Sequence, residues 1–296
     1  MNQSPTVPEA IPDPQIQTGL LTWTATELRD LPWRSTRNPW HVMVSEIMLQ
    51  QTQVSRVIDR YRDFVVRFPT PPDCAAGSVA EVIELWAGLG YNRRAVNLWK
   101  AADAITEQHA GLVPEDLASL LALPGIGPYT ARAVLAFAFE QDVGVVDTNV
   151  GRLLARWTGA SLGAAQAQEL ATNYVPKGQG WLWNQSLLDF AVAVCGKRNP
   201  ACERCPLIDS CTWAGHGPDP AVSSAGVSGK QSRFEGSERQ VRGRIVEALR
   251  QGPLRLADLE RFGRSSDTLE AVESIADGLV ADGLAAKSHG MLQLPS

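Results

Sequence analysis

The chain has 296 residues, 44% of them hydrophobic and 20% charged, enough for a large helical core with an appendage. Its formal net charge of -5 excludes a simple polycationic nucleic-acid binder, and no apolar run is long enough to span a bilayer. Pro5, Pro8, Pro12 and Pro14 interrupt the start, which has no apolar signal-peptide core, so residues 1–19 read as a mobile arm and the expected setting is cytoplasmic.

From about Thr22 to Trp213 apolar residues recur at spacings of three and four, and the breaks are Pro or Gly, which predicts a mostly helical stretch. One helix starts near Pro39 and carries Val42, Met43, Val44, Ile47, Met48 and Leu49. An amphipathic continuation with Val54, Val57, Ile58, Tyr61 and Phe64 ends before Pro69. Cys74, beside Pro71 and Pro72, reads as a spare loop thiol. Ser78 with Glu81 forms a capping box, and the helix it opens closes near Gly88 or Gly90. The next helix spans about Asn92 to His109, and Pro114 suits the first position of the one after it. Residues 214–236, rich in Gly, Ser and Pro, predict a linker. In the tail, 237–296, Val241, Ile245 and Leu249 mark a helix face, two shorter helical segments follow, and a hairpin turns at His289-Gly290. Three helices and a hairpin is a winged-helix layout, and a small protein-packing appendage fits the same pattern.

Four features carry chemistry. Glu46 is the lone acid in Val42–Leu49. Either it is buried, where desolvation raises a carboxyl pKa and makes a general acid, or it shares a polar stripe with Ser45, Gln50 and Gln53. The loop Leu123-Pro124-Gly125-Ile126-Gly127, followed by Pro128-Tyr129-Thr130, lies between helices. Its glycines and the positive end of the following helix can grip a phosphate without Lys or Arg, although a tight helix connection has the same look. Asp147 sits at an N-cap position, where it would accept backbone N–H bonds; a plain cap and a carboxylate poised for a developing sugar cation are both open.

The fourth feature is the set Cys195, Cys202, Cys205 and Cys211, spaced C-x6-C-x2-C-x5-C. Four thiolates so bunched can hold tetrahedral zinc or a [4Fe-4S] cluster. With only one C-x2-C knuckle, the iron-sulfur reading is the better match.

The order Glu46, hairpin, Asp147, cysteine loop resembles the helix-hairpin-helix DNA glycosylases with iron-sulfur clusters, over about Leu31 to Cys211. Within that group, Leu31-Pro32-Trp33-Arg34 and the run Ser45 to Val54 are similar to the adenine glycosylases of the MutY type. The endonuclease III-like enzymes carry a lysine where this chain has Tyr129, and a phenol cannot form a Schiff base.

The resemblance implies an all-α glycosylase domain, residues 20–213, with two helical lobes, a DNA cleft between them and a [4Fe-4S] cluster in the loop 195–211. The winged-helix-like tail would stand in place of the usual C-terminal Nudix-like domain. The implied reaction is monofunctional release of adenine mispaired with 8-oxoguanine or guanine, on double-stranded DNA, by a monomer that associates with the nucleoid when bound to DNA. Glu46 would protonate the purine, and Asp147, with Tyr129 and Asn149, would stabilise the sugar cation. Trp33 and Arg34 would line the adenine pocket, while Leu49, Gln51 and Tyr91 would fill or wedge the gap left by base flipping. Gly125, Ile126, Gly127 and Thr130 would bind DNA, and Lys197, Arg198 and Arg204 stand near enough to the cysteines to meet phosphates. Asn92 departs from the second tyrosine that often follows Tyr91. The rival readings are a mismatch-specific thymine glycosylase and a non-catalytic iron-sulfur DNA-binding regulator.

Overall fold

The computed structural model describes residues 13–224 and 233–296, in two compact units. One takes in the described residues up to Pro39 and from Pro128 to 224. The other takes in Trp40 to Gly127 and 233–296. Among the described residues no helix is long and apolar enough to cross a membrane.

The first unit opens with α1 (Pro14–Glu27), so the segment expected as an arm is helical from its fourteenth residue. The reason is local: Asp13 accepts from the N–H of Gln15 at 2.8 Å, Pro14 occupies the first turn, and Ile16 and Leu20, four apart, are buried. Residues 1–12 lie outside the described residues. Then come α8 (Pro128–Phe137), α9 (Thr148–Thr158), α10 (Ala164–Asn173) and α11 (Gly180–Ala193). The apolar faces of α9, α10 and α11 share a core that includes Leu153, Leu154, Trp157, Leu170, Trp183, Leu187 and Phe190 with Ile16 and Leu20 of α1. Buried Asn184 on α11 holds the segment before α9: its Oδ1 accepts from the N–H of Val145 at 2.8 Å and its Nδ2 donates to the carbonyl of Val143 at 2.8 Å. That pairing satisfies the main chain of an otherwise irregular stretch.

Part of the expected linker belongs to this unit. Residues Pro220–Ser223 form a 3-10 turn, Ala221 is buried in the core, and Asp219 pairs with Arg156 at 2.6 Å. A buried guanidinium needs a counter-charge, and this segment supplies it. Residues 225–232 of the linker lie outside the described residues.

The second unit contains α2 (Pro39–Leu49, its first residue lying in the other unit), α3 (Val54–Arg67), α4 (Pro71–Ala76), α5 (Val79–Leu85), α6 (Arg93–Gln108) and α7 (Leu117–Ala122). Trp40, Phe64, Phe68 and Trp86 form its aromatic centre, with the Trp40 indole donating to the carbonyl of Phe68 at 2.9 Å. The Ser78/Glu81 box is complete, both reciprocal bonds being present. Two expectations fail here. α7 begins at Leu117, because Asp116 caps it by accepting from the N–H of Ser119, so Pro114 lies upstream of the helix. Cys74 lies within α4, capped by Thr70 and Asp73, and is buried; desolvation pushes its thiol up to about 12.

The tail runs α12 (Glu238–Leu249), β1 (Leu254–Arg255), a 3-10 turn Leu256–Phe262, α13 (Leu269–Ala281), β2 (Ala286–Ser288) and β3 (Met291–Gln293). The strands form an antiparallel sheet in the order β1-β3-β2, with Leu254 opposite Leu292 and Lys287 opposite Leu292. His289 and Gly290 turn the hairpin at φ of 48° and 75°, as a type I′ turn requires. The winged-helix layout is present with an added strand, a 3-10 middle helix, and a third helix that is the longest rather than short. Arg250 anchors the tail to the helices, donating to the carbonyl of Ile83 at 3.1 Å and to Oδ1 of Asn92 at 3.2 Å.

Candidate active site and cysteine loop

Glu46 is buried on α2, 4% exposed, among Met43, Ile47 and Met48. Ser45 beside it is buried too and donates to the carbonyl of Val42, so no solvent-facing polar stripe runs along this stretch. Arg94 of α6 closes the end of α2: Nη1 donates to the carbonyls of Ile47, Met48 and Gln50 at 2.8, 3.0 and 2.6 Å. Its Nη2 donates to Thr52 Oγ1 and to the carbonyls of Leu89 and Gly90. Burial pulls the Arg94 guanidinium down to about 10. The loops held by this residue carry Gln51 and Tyr91 at φ of 55° and 47°. Two non-glycine residues in the left-handed region are costly, and such strain collects at functional loops. Both line one cavity, and Leu49 just before them is half-buried.

The hairpin turn closes with the N–H of Ile126 donating to the carbonyl of Leu123 at 3.2 Å. Leu123 and Ile126 are buried and anchor it. Gly125 has φ +74°, and a Cβ there would lie 2.6 Å from Cβ of Asn97, so only glycine serves. A Cβ at Gly127 would meet nothing within 4 Å, which leaves open space beside the main chain just before the N-terminus of α8. N–H groups in a helix's first turn have no carbonyl one turn back, and an anion suits them. Thr130 is buried as a whole residue, 1% exposed; Tyr129, one residue earlier, is half-buried.

Asp147 caps α9. Its Oδ1 accepts from the N–H groups of Asn149 and Val150 at 2.8 and 2.7 Å, and its Oδ2 accepts from Nδ2 of Asn149 at 2.7 Å. The side-chain Oδ1 of Asn149 in turn accepts from Nη1 of Arg152 at 3.0 Å. Arg152 also donates to the carbonyls of Cys195 and Ala191, at 3.0 and 2.7 Å. One turn further on, Arg156 donates to Sγ of Cys195 at 3.3 Å and to the carbonyl of Gly196 at 2.8 Å. Thus α9 carries the carboxylate at one end and grips the cysteine loop along its side.

Cys195, Cys202, Cys205 and Cys211 line one small cavity with Leu153, Trp157 and Phe190. Burial raises Cys195, against the opposing pull of Arg156, and raises Cys211; it pushes Cys205 up to about 11. The N–H of Ala214 donates to Sγ of Cys211 at 3.4 Å. Among the described residues no three His, Cys, Asp or Glu side chains stand spaced for a metal ion. What speaks for a thiolate-bound group is donor chemistry: four sulfurs on one cavity, with cationic and N–H donors to offset their charge. Lys197, Arg198 and Arg204 are exposed on the same loop.

Trp33 and Arg34 lie in a 3-10 turn, Pro32–Arg34, and both are buried. Arg34 is committed to Asp189 of α11 through Nη1 at 2.7 Å and Nη2 at 2.9 Å, and Arg29 joins the same carboxylate from its N–H and Nε. Burial alone would raise the Asp189 carboxyl; the hydrogen bonds from Arg34 and Arg29 outweigh it and hold it below the ordinary range. Asp189, Arg29, Arg152 and Arg156 were not singled out from the sequence. For Asp189 the signal was there: a lone acid inside Leu187-Leu188-Asp189-Phe190, the same kind of pattern that pointed to Glu46.

Residues 44–177 match the family described as HhH-GPD superfamily base excision DNA repair protein. An adenine DNA glycosylase of Mycobacterium tuberculosis is 37% identical, over 98% of this chain and 99% of the relative. One of Mycolicibacterium smegmatis is 38% identical over 90% of each. Among solved structures, a thermostable thymine-DNA glycosylase is 30% identical with a TM-score of 0.63, covering 68% of this chain and 95% of that one. Helices, hairpin and relatives agree, and the chain belongs to the adenine DNA glycosylase family of the helix-hairpin-helix base excision repair superfamily.

Proposed function

We propose that this protein is a monofunctional glycosylase that hydrolyses the N-glycosidic bond of adenine mispaired with 8-oxoguanine or guanine in duplex DNA and leaves an abasic site. The carrying observation is the Asp147 carboxylate, fixed by two backbone N–H groups and by Asn149 at the head of α9. A fixed anion suits the oxocarbenium-like sugar that forms as the base departs. Glu46, buried in an apolar helix, suits a proton donor to the purine ring, which turns adenine into a better leaving group. Tyr129 offers no amine, so the reaction stops at base removal. Trp33 and the Arg34–Asp189 pair serve the adenine pocket, Arg34 acting through the carboxylate it orients rather than as a free cation.

The hairpin holds a phosphate beside Gly127, and Leu49, Gln51 and Tyr91 enter the duplex. The cysteine loop holds a [4Fe-4S] cluster through Cys195, Cys202, Cys205 and Cys211. When bound, the cluster ties the loop together by four iron–thiolate bonds, and Arg156 offsets sulfur charge at Cys195. The enzyme acts as a monomer.

Single-turnover release of base from duplexes carrying A opposite 8-oxoguanine, A opposite G and T opposite G tests the reading. Adenine release with intact strands is expected. Thymine release alone would favour the activity named for the 30% identical structure, and no release from any duplex would remove the enzymatic reading.

A further inference from the structure

A cavity of about 920 Å³ lies where the loops of Gln51 and Tyr91 meet the tail. Its wall holds six arginines (56, 93, 94, 239, 242 and 250) against three acids (238, 247 and 282), a formal balance of +3 in a chain of net charge -5. Among the described residues seven large apolar side chains are exposed. The two aromatic ones, Tyr91 at 42% and Phe234 at 56%, both line this cavity. Arg239, in the first turn of α12, donates to the Tyr91 hydroxyl at 3.2 Å, so tail and loop share a side-chain contact here. Arg56 is exposed on the same wall.

Exposed rings interleaved with guanidinium groups form the surface that single-stranded nucleic acid selects, the rings stacking on bases and the cations meeting phosphates. A volume of this size takes a nucleotide. We infer that the tail, together with residues 233–236 that lead into it, is part of the DNA-binding surface: Phe234 and Tyr91 stack on an unstacked nucleotide, and Arg239 with Arg56 takes its phosphate. This rests on the glycosylase reading in one respect, namely that Gln51 and Tyr91 face DNA. It adds a role for the tail, which the reaction itself does not require.

The test uses the full chain and binding alone, with anisotropy of a labelled duplex carrying A opposite G across a salt series. Arg239→Ala is expected to make the slope of log affinity against log salt shallower by about one, as loss of one phosphate contact does. Phe234→Ala is expected to weaken binding about tenfold, within the range for losing one stacked base. Arg239→Lys and Phe234→Tyr, which keep the charge and the ring, should retain most of the parent's affinity and so guard against a folding artefact. If either alanine variant matches the parent in affinity and slope, the proposal is overturned. Base release by the parent is scored separately: release with unchanged variant binding removes the tail site and leaves the enzyme, whereas altered binding without release does the reverse.

Discussion

Arg152 donates to Oδ1 of the Asn149 side chain at 3.0 Å, and that bond sets the direction in which the Asn149 amide meets Asp147. Because Arg152 is held at its other nitrogens by Cys195 and Ala191, the orientation of the carboxylate is tied to the placement of the cysteine loop. Arg152→Met should keep the helix but free the Asn149 amide. A fall in single-turnover base release on the order of 10²-fold is expected, the scale for a small misplacement of a catalytic group. A parental rate would show that the cap bonds suffice.

Glu46→Gln keeps shape and removes the transferable proton. Base release should fall by about 10²- to 10⁴-fold while duplex binding persists. Near-normal release in a single-turnover assay would reject the general-acid role.

Tyr129→Lys introduces an amine in the first turn of α8. Strand cleavage, with a borohydride-trapped protein–DNA adduct, is the expected gain. Its absence would weaken the equivalence of this position to the lysine of the strand-cleaving enzymes, though not the base-release reading.

Arg156→Ala strips Cys195 Sγ of a donor and leaves Asp219 without its cation. Purified protein should hold well under the roughly four irons per chain of a [4Fe-4S] protein. Its thermal stability should also drop by about 3 kcal/mol, as when one partner of a buried pair is lost. Iron content and visible absorption equal to the parent's would show that this guanidinium is dispensable to the loop.

Asp189 titrates below its ordinary range in the folded chain, so the unfolded chain binds the proton first as the pH falls. Its contribution is therefore fully present above about pH 4, the unfolded value for Asp, and is lost as the pH falls from there through the lower folded value. Acid melts of the parent against Asp189→Asn should converge over that window. Parallel curves from pH 7 to pH 2 would remove Asp189 from the acid transition.

Local rules made the helices legible. Ser78 and Glu81 announce their helix by chemistry that needs no tertiary partner, and the α9 cap at Asp147 reads the same way. Glycine spacing likewise located the hairpin, although only the structure shows that Asn97 is what forbids a side chain at Gly125. Pairings across long stretches of chain could not be read: Arg34 with Asp189 and Arg156 with Asp219 join segments 155 and 63 residues apart. Composition misled at residues 214–224, where Gly, Ser and Pro suggested a linker but Asp219 and Ala221 are drawn into a core. The short β1 carries no periodicity at two residues, and its place comes from pairing with β3.

The many bonds of Arg94 bear on how this protein tolerates change. Three carbonyls at the end of α2, two in the loop before Tyr91 and the hydroxyl of Thr52 all draw on one planar fork. An ammonium has three donors and no such plane, so lysine is a poor substitute. The helix bearing Glu46 and the loop bearing Tyr91 are thereby a single mechanical piece, already set before any DNA arrives. Little ordering entropy is then left to spend on that piece at the moment of binding, and variation at position 94 should be tolerated far less than its distance from any reacting atom suggests.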